Sequence, residues 1–166
     1  VNDAESHNVF WVDLPDIASS TTSRQIHRGI GWSQPGTGEL GAGIHLNTMD
    51  FNYDPYAGIE LGMGSFDTKR ATLHAGSGLI KGRYTFDGRA SYIHSGGFID
   101  RAESDLYSIY GTAGYHHDET NLRIIYMMGD ELTYQAWNGV PHQYVFNDEL
   151  RTYNSAGTEK SIADPH

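Results

Sequence analysis

The chain contains no cysteine, which removes disulfides, thiolate zinc sites and cysteine nucleophiles together. Positive charge is scarce. Eleven Lys and Arg stand against 21 Asp and Glu, a formal net charge of −10, and no basic cluster exists to neutralise a phosphate backbone. Nucleic acid is thereby excluded as a general partner. There is no run of about 18 apolar residues, so no transmembrane helix can form. Strands that cross a membrane leave a much weaker hydropathy signal, and this absence does not touch them. Catalytic signatures are also lacking: there is no G-x-S-x-G, no H-E-x-x-H and no carboxylate pair in a recognisable frame. The chain reads as non-enzymatic. Among the histidines, His116 and His117 are adjacent, His74 and His94 have no partner at ligand spacing, and His142 lies in a late loop. Polar strand faces and loops account for them, and neither a metal nor another cofactor is expected.

Glycine and tyrosine are plentiful. Twenty glycines, 11 tyrosines and 5 prolines in 166 residues point to β-structure with many turns, in one domain or in parts of two. The stretch Gln25–Thr48 divides the chain. It begins with an alternating run that carries Arg28, passes Gly29, Gly31, Gly36, Gly38, Gly41 and Gly43, and closes on Ile44-His45-Leu46-Asn47. Before it, Val9-Phe10-Trp11-Val12 is a short β-type run. Pro15 among aspartates signals one or two turns of helix, which the Ser19–Ser23 cluster stops. Arg24 to Gly29 reads as a strand. The run Gly36-Thr37-Gly38-Glu39-Leu40-Gly41 matches G-x-G-x-x-G only superficially, because a strand rather than a helix follows it.

From residue 55 onward the pattern is repeated period-two alternation. Arg83–Tyr92 is the clearest case, with Tyr84, Phe86, Gly88, Ala90 and Tyr92 on one face and Arg83, Thr85, Asp87, Arg89 and Ser91 on the other. Ala57–Met63, Lys69–Ala75, Leu106–Tyr115 and Leu122–Met128 repeat it with less contrast. Ser65–Thr68, Gly78–Gly82 and His116–Thr120 are short connections, while Ser95–Asp105 and everything after about Tyr134 are long. Strands of about ten residues with short turns at one end and long loops at the other suit an outer-membrane barrel. Tyr84, Tyr92, Tyr107 and Tyr115 fall where interfacial aromatic girdles belong. Alternation alone suits a soluble sandwich or lipocalin-like barrel equally well. The soluble alternative is a β-rich binding or adhesion module that uses its aromatic loops.

Four blocks in order favour the outer-membrane reading. They are Ile26-His27-Arg28-Gly29 with Gly36-Thr37-Gly38 and Gly43-Ile44-His45-Leu46-Asn47-Thr48; Gly64-Ser65-Phe66-Asp67-Thr68; Ser95-Gly96-Gly97-Phe98-Ile99-Asp100-Arg101; and Thr133-Tyr134-Gln135-Ala136-Trp137-Asn138-Gly139-Val140-Pro141. On these residues the chain resembles a TonB-dependent outer-membrane receptor over essentially its whole length. It departs from the pattern at His45, where the family has asparagine. The resemblance implies a mainly β fold. Residues 1–50 form the end of a plug domain, and 51–166 form about five antiparallel strands of an incomplete transmembrane β-barrel. Such a chain is an internal piece of a longer receptor, since about eight strands are needed to close a barrel.

The resemblance also implies a function and a set of sites. The receptor takes up a scarce nutrient through the outer membrane of a Gram-negative bacterium, most commonly an iron–siderophore, with haem, cobalamin and glycans as rivals. Its partners are outer-membrane lipid, the TonB energy-transducing protein, the extracellular ligand and the remainder of the barrel. Arg28 and Gly29 lie at the plug–barrel contact, Arg28 as a latch onto a wall carboxylate. Tyr84, Phe86, Tyr92, Ile109, Leu122 and Ile124 face lipid. Tyr134, Trp137, Asn138 and Tyr144 crowd the third loop, where their aromatic and amide groups suit a planar or sugar-like ligand. Asp100, Glu103 and Asp105 read as a solvated acidic loop face.

Overall fold

A computed structural model describes residues 14–28, 42–134 and 136–157. The expected strand Val9–Val12, Gly29 and the glycine run up to Gly41 lie outside the described residues. The architecture is mainly β, with one two-stranded and one five-stranded antiparallel sheet. A single 3-10 turn, Ile17–Ser20, leads into β1 (Thr21–Arg28), which pairs with β2 (Ala42–Thr48). The wall follows as a meander: β3 (Pro55–Met63), β4 (Lys69–Ser77), β5 (Tyr84–Ser95), β6 (Ser104–His117) and β7 (Thr120–Thr133). A second 3-10 turn, His142–Tyr144, lies in the segment after β7.

Each strand predicted from alternation is present, and most are longer than the alternation shows. The β5 strand continues to Ser95 because Ile93, His94 and Ser95 keep pairing with Leu106, Asp105 and Ser104. The helical turn ends at Ser20, within the Ser19–Ser23 cluster, and the same cluster opens β1 at Thr21, since threonine is a good strand former. The hairpin at Ser65–Thr68 is short, yet it sits at the same end of the sheet as the long β5–β6 connection and the segment after β7. The opposite end carries the β4–β5 turn and the two-residue turn Asp118-Glu119, where Asp118 adopts φ 31°. Aspartate tolerates that geometry in a tight hairpin.

The register turns the sequence alternation into continuous rows. On one face Ala71, Tyr92 and Tyr107 are neighbours, as are Leu73, Ala90 and Ile109, and Phe86, Ala113 and Ile124. Tyr92 stacks on Tyr107 at 4.8 Å and Tyr84 lies 5.4 Å from Tyr115, so the two tyrosine pairs mark the two ends of this face. Each such pair contributes about 0.2–1 kcal/mol to strand pairing. On the other face run Thr72, Ser91 and Ser108, then His74, Arg89 and Tyr110, then Asp87 and Thr112.

Burial is inverted relative to a water-soluble sheet. Among the described residues the buried polar and charged side chains are Ser20, Thr72, Thr85, Asp87, Arg89, Ser91, Ser108, Thr112 and Asn154, and the buried apolar ones are Tyr110 and Pro15. The apolar face is bare, with Ile59 at 71% exposure, Leu61 at 79%, Phe86 at 50% and Ile124 at 61%. The polar face is covered because the 3-10 turn and the chain following β2 lie across it.

Candidate functional site

The polar face of the wall and the segment lying on it meet at Asp16. Pro15 sets the entry to the turn, and Asp16 takes a left-handed conformation (φ 53°, ψ 24°) that aspartate accepts more readily than most residues. Ser19 Oγ donates to Asp16 Oδ1 at 2.6 Å and fixes the carboxylate. From the centre of β5, Arg89 Nη1 donates to Asp16 Oδ2 at 2.8 Å, with side-chain exposures of 3% and 8%. Three more of its five N–H groups are also engaged. Nε donates to Ser20 Oγ at 2.7 Å, Nη1 also to Ser91 Oγ at 2.7 Å, and Nη2 to Ser108 Oγ at 2.8 Å. Arg70, on β4, adds a longer contact to Asp16 at 3.4 Å and donates to Ser19 Oγ at 2.6 Å. A buried charge survives when it is paired and its other hydrogen-bonding groups are satisfied. Here one carboxylate and three hydroxyls do that for Arg89.

A second contact follows where the chain leaves β2. Met49 N–H donates to the Ser20 carbonyl at 3.0 Å, and the Met49 carbonyl accepts from Arg123 of β7. The Arg123 guanidinium lies 5.0 Å from the centroid of Phe51, whose ring meets His116 edge-on at 4.4 Å. Phe51 sits directly over Gly114, and a Cβ there would collide with the Phe51 ring and with Thr85. Glycine is required at 114 so that the ring can approach the sheet backbone. Between the 3-10 turn and strands β3 and β4 lies a polar cleft of about 620 Å³, lined by Asp16, Arg24, Glu60, Arg70 and His74 among others. On its floor Tyr56 Oη donates to Asp87 Oδ1 at 3.0 Å.

At the loop end the wall is topped by charge. Lys69 Nζ lies 2.7 Å from Asp67, and this contact, with His94 secondary to it, holds the Asp67 carboxyl below its ordinary range. His94 Nδ1 lies 3.0 Å from Asp105, and Tyr92 Oη donates to the same carboxylate oxygen at 2.6 Å. Beyond this rim Asn154, 4% exposed, donates to the Asp100 carbonyl, and the Asp100 N–H donates to the Thr152 carbonyl, which fastens the late segment to the β5–β6 loop. A smaller pocket of about 270 Å³ between them is lined by Arg101, Thr133, Tyr134, Asn154 and Ala156. The Arg101 guanidinium stands 5.2 Å from the Tyr134 ring centroid.

The residues singled out in the sequence separate into groups. Arg28 is the last residue of β1, opposite Ala42, exposed and without an ion pair among the described residues. Gly29 lies outside the described residues. Among the described residues the ion pair between segment and wall is a separate one, with the carboxylate, Asp16, on the segment and the arginines on the wall. Tyr84, Phe86, Ile109, Leu122 and Ile124 stand exposed on the bare apolar face. Tyr92 is half-buried at its edge, with its hydroxyl turned to Asp105. The third-loop candidates do not converge. Tyr134 lines the Arg101 pocket, Trp137 is 71% exposed, Asn138 Nδ2 donates to Ser155, and Tyr144 packs edge-on against Tyr153. Sequence reading missed Asp16, Arg70, Arg89 and Arg101. The one available signal was Arg89, a cation near the centre of a strand face that also carries Asp87, the two lying between the short hydroxyl residues Thr85 and Ser91.

No protein-family model matches this chain, and no curated protein matches it. Among solved structures, it is similar to the pyoverdine outer membrane receptor FpvA from Pseudomonas aeruginosa PAO1, determined bound to pyoverdine. The likeness has a TM-score of 0.63 and 24% identity, and covers 69% of this chain and 17% of that chain. This protein thus shares its fold with a short portion of a much longer outer-membrane receptor.

Proposed function

We propose that this chain is the junction and first wall of an outer-membrane receptor that imports a scarce nutrient, with residues 1–50 as the end of the plug and 51–166 as barrel. The inverted burial of the five-stranded sheet carries this reading, and the fold shared with an outer-membrane receptor supports it. Tyr84 and Tyr92 are eight residues apart on β5, or roughly 26 Å along the strand, which a tilt of about 40° reduces to about 20 Å. That is close to the roughly 25 Å apolar band of outer-membrane barrels, with the tyrosine pairs at its two borders. Five strands at about 4.8 Å spacing make the bare face roughly 600 Å² in projection, at the upper limit of what soluble monomers expose. A soluble binding or adhesion module would place that face inside.

On this reading Tyr84, Phe86, Tyr92, Ile109, Leu122 and Ile124 face lipid, and the polar face looks into the lumen. The Asp16–Arg89 clamp holds the plug end on the wall. Arg28, at the end of β1, has no ion pair among the described residues and is available to a carboxylate elsewhere in the receptor. The ligand enters from the loop end, where Tyr134 beside Arg101 offers an aromatic face next to a cation. Energy comes through TonB, and an iron–siderophore is the first ligand to try. The test is a set of nitroxide labels at positions 86, 109 and 124 in the membrane-embedded receptor. Lipid-facing labels are relaxed by oxygen and shielded from a water-soluble nickel complex. Labels that report water at all three positions would overturn the reading.

A further inference from the structure

At the loop end of β5 and β6, three metal-ligating side chains meet that the sequence keeps apart. His94 and Asp105 are cross-strand partners, and Glu103 immediately precedes β6. One ligand atom from each lies within 4.8 Å of the others. The His94 ring is flanked by carboxylates at both nitrogens, with Asp105 3.0 Å from Nδ1 and Asp67 3.5 Å from Nε2. A neutral imidazole has one N–H and one lone pair, so one of these contacts sets a lone pair against a carboxylate. A cation placed there removes that opposition. Three carboxylates, Asp67, Glu103 and Asp105, surround the ring, while the neighbouring ammonium, Lys69, is engaged by Asp67 at 2.7 Å.

One of the ligands, Asp105, is held in place before any ion arrives. Asp105 accepts from Tyr92 Oη at 2.6 Å, and Tyr92 is stacked on Tyr107. Partners of this kind orient a metal-binding carboxylate and raise affinity. Bond lengths of about 2.0–2.2 Å at a tetrahedral ion bring ligand atoms to roughly 3.4 Å from one another. The cluster must therefore contract by up to about 1.4 Å. Glu103, exposed at the end of the β5–β6 connection and without a side-chain hydrogen bond or ion pair among the described residues, has the freedom to do it.

We propose that His94, Glu103 and Asp105 form a divalent-metal site at the rim of the wall. One imidazole with two carboxylates favours a borderline ion such as Zn²⁺ over the hard ions Ca²⁺ and Mg²⁺. The bound ion ties the β5–β6 loop to the strand ends and, through Asp67 beside it, to the β3–β4 hairpin. The site stands apart from the Asp16 clamp and does not depend on the ligand the receptor carries.

The test is calorimetry of the full chain in detergent micelles at pH 7.5 with Zn²⁺ alone, and Co²⁺ absorption as a second readout of the ligand set. One saturable site is expected, with Ca²⁺ failing to compete. Glu103→Gln and His94→Gln should each weaken binding more than about tenfold, and Tyr92→Phe, which removes no ligand but frees Asp105, should weaken it by about tenfold, the lower end for such supporting partners. If His94→Gln does not fold, the exposed Glu103→Gln decides, with circular dichroism confirming its strands. Absence of saturable binding, or binding unchanged by the substitutions and so carried by other histidines, overturns the site.

Discussion

Replacing Asp16 by Asn keeps the shape of the side chain and removes its charge, leaving Arg89 buried without its counter-ion. Breaking a buried pair from one side costs about 3–5 kcal/mol, because the remaining charge stays desolvated. Two features place the expected loss at the lower end. Arg89 keeps its hydrogen bonds to Ser20, Ser91 and Ser108, whose dipoles still solvate it. The Arg70 contact adds little, being 3.4 Å long with a side chain 39% exposed. A loss of about 3 kcal/mol corresponds to roughly a hundredfold shift in the opening equilibrium of the segment carrying Asp16. Hydrogen exchange reads this directly: the Met49 amide, which is bonded to the Ser20 carbonyl, should lose protection by about two orders of magnitude while β5 and β6 amides keep theirs. The double change Asp16→Asn with Arg89→Met removes the orphaned charge and should recover part of the loss. If Asp16→Asn alters Met49 protection by less than about threefold, the clamp does not hold the segment to the wall.

Four further outcomes follow from the geometry. Ile124→Arg on the bare face, midway between the Tyr84–Tyr115 border and the centre of the band, should cost about 1–3 kcal/mol in a bilayer folding titration, whereas on the surface of a soluble protein it would stay within about 0.5 kcal/mol. Gly114→Ala places a Cβ into the Phe51 ring and against Thr85, and should destabilise the protein by about 1–3 kcal/mol in urea unfolding, with Phe51→Ala recovering only the share due to the ring. Arg28→Ala should leave exchange at Met49 within about 0.5 kcal/mol of wild type, but loosen plug retention in the complete receptor; no change in the complete receptor removes its role as a latch. Asp67 has a folded pKa depressed chiefly by Lys69, so its contribution is present above the ordinary carboxyl pKa and lost as pH falls through the lower folded value. In a carboxyl NMR titration, Lys69→Met should move its midpoint back up.

The five wall strands were legible because period-two alternation is local. Tyr84 to Tyr92 against Arg83 to Ser91 declares two faces before any partner is known, and the turns between strands announce themselves through Gly, Asp and loop length. The four motif blocks pointed to an outer-membrane receptor, and the fold shared with one agrees. Alternation says that two faces differ and is silent on which is covered. That was decided when the segment around Asp16 lay across the polar face, through a carboxylate and an arginine 73 positions apart in sequence. Arg28 carries the sequence motif, yet the contact formed at Asp16, because contact follows the path of the chain in space rather than the conspicuousness of a residue. The rim cluster has the same origin: antiparallel pairing sets His94 opposite Asp105, a proximity that residue spacing cannot encode. The sequence by itself determined the strands, their two faces and their order. Only the tertiary structure decided which face is bare and which distant charges meet, because both depend on long-range packing.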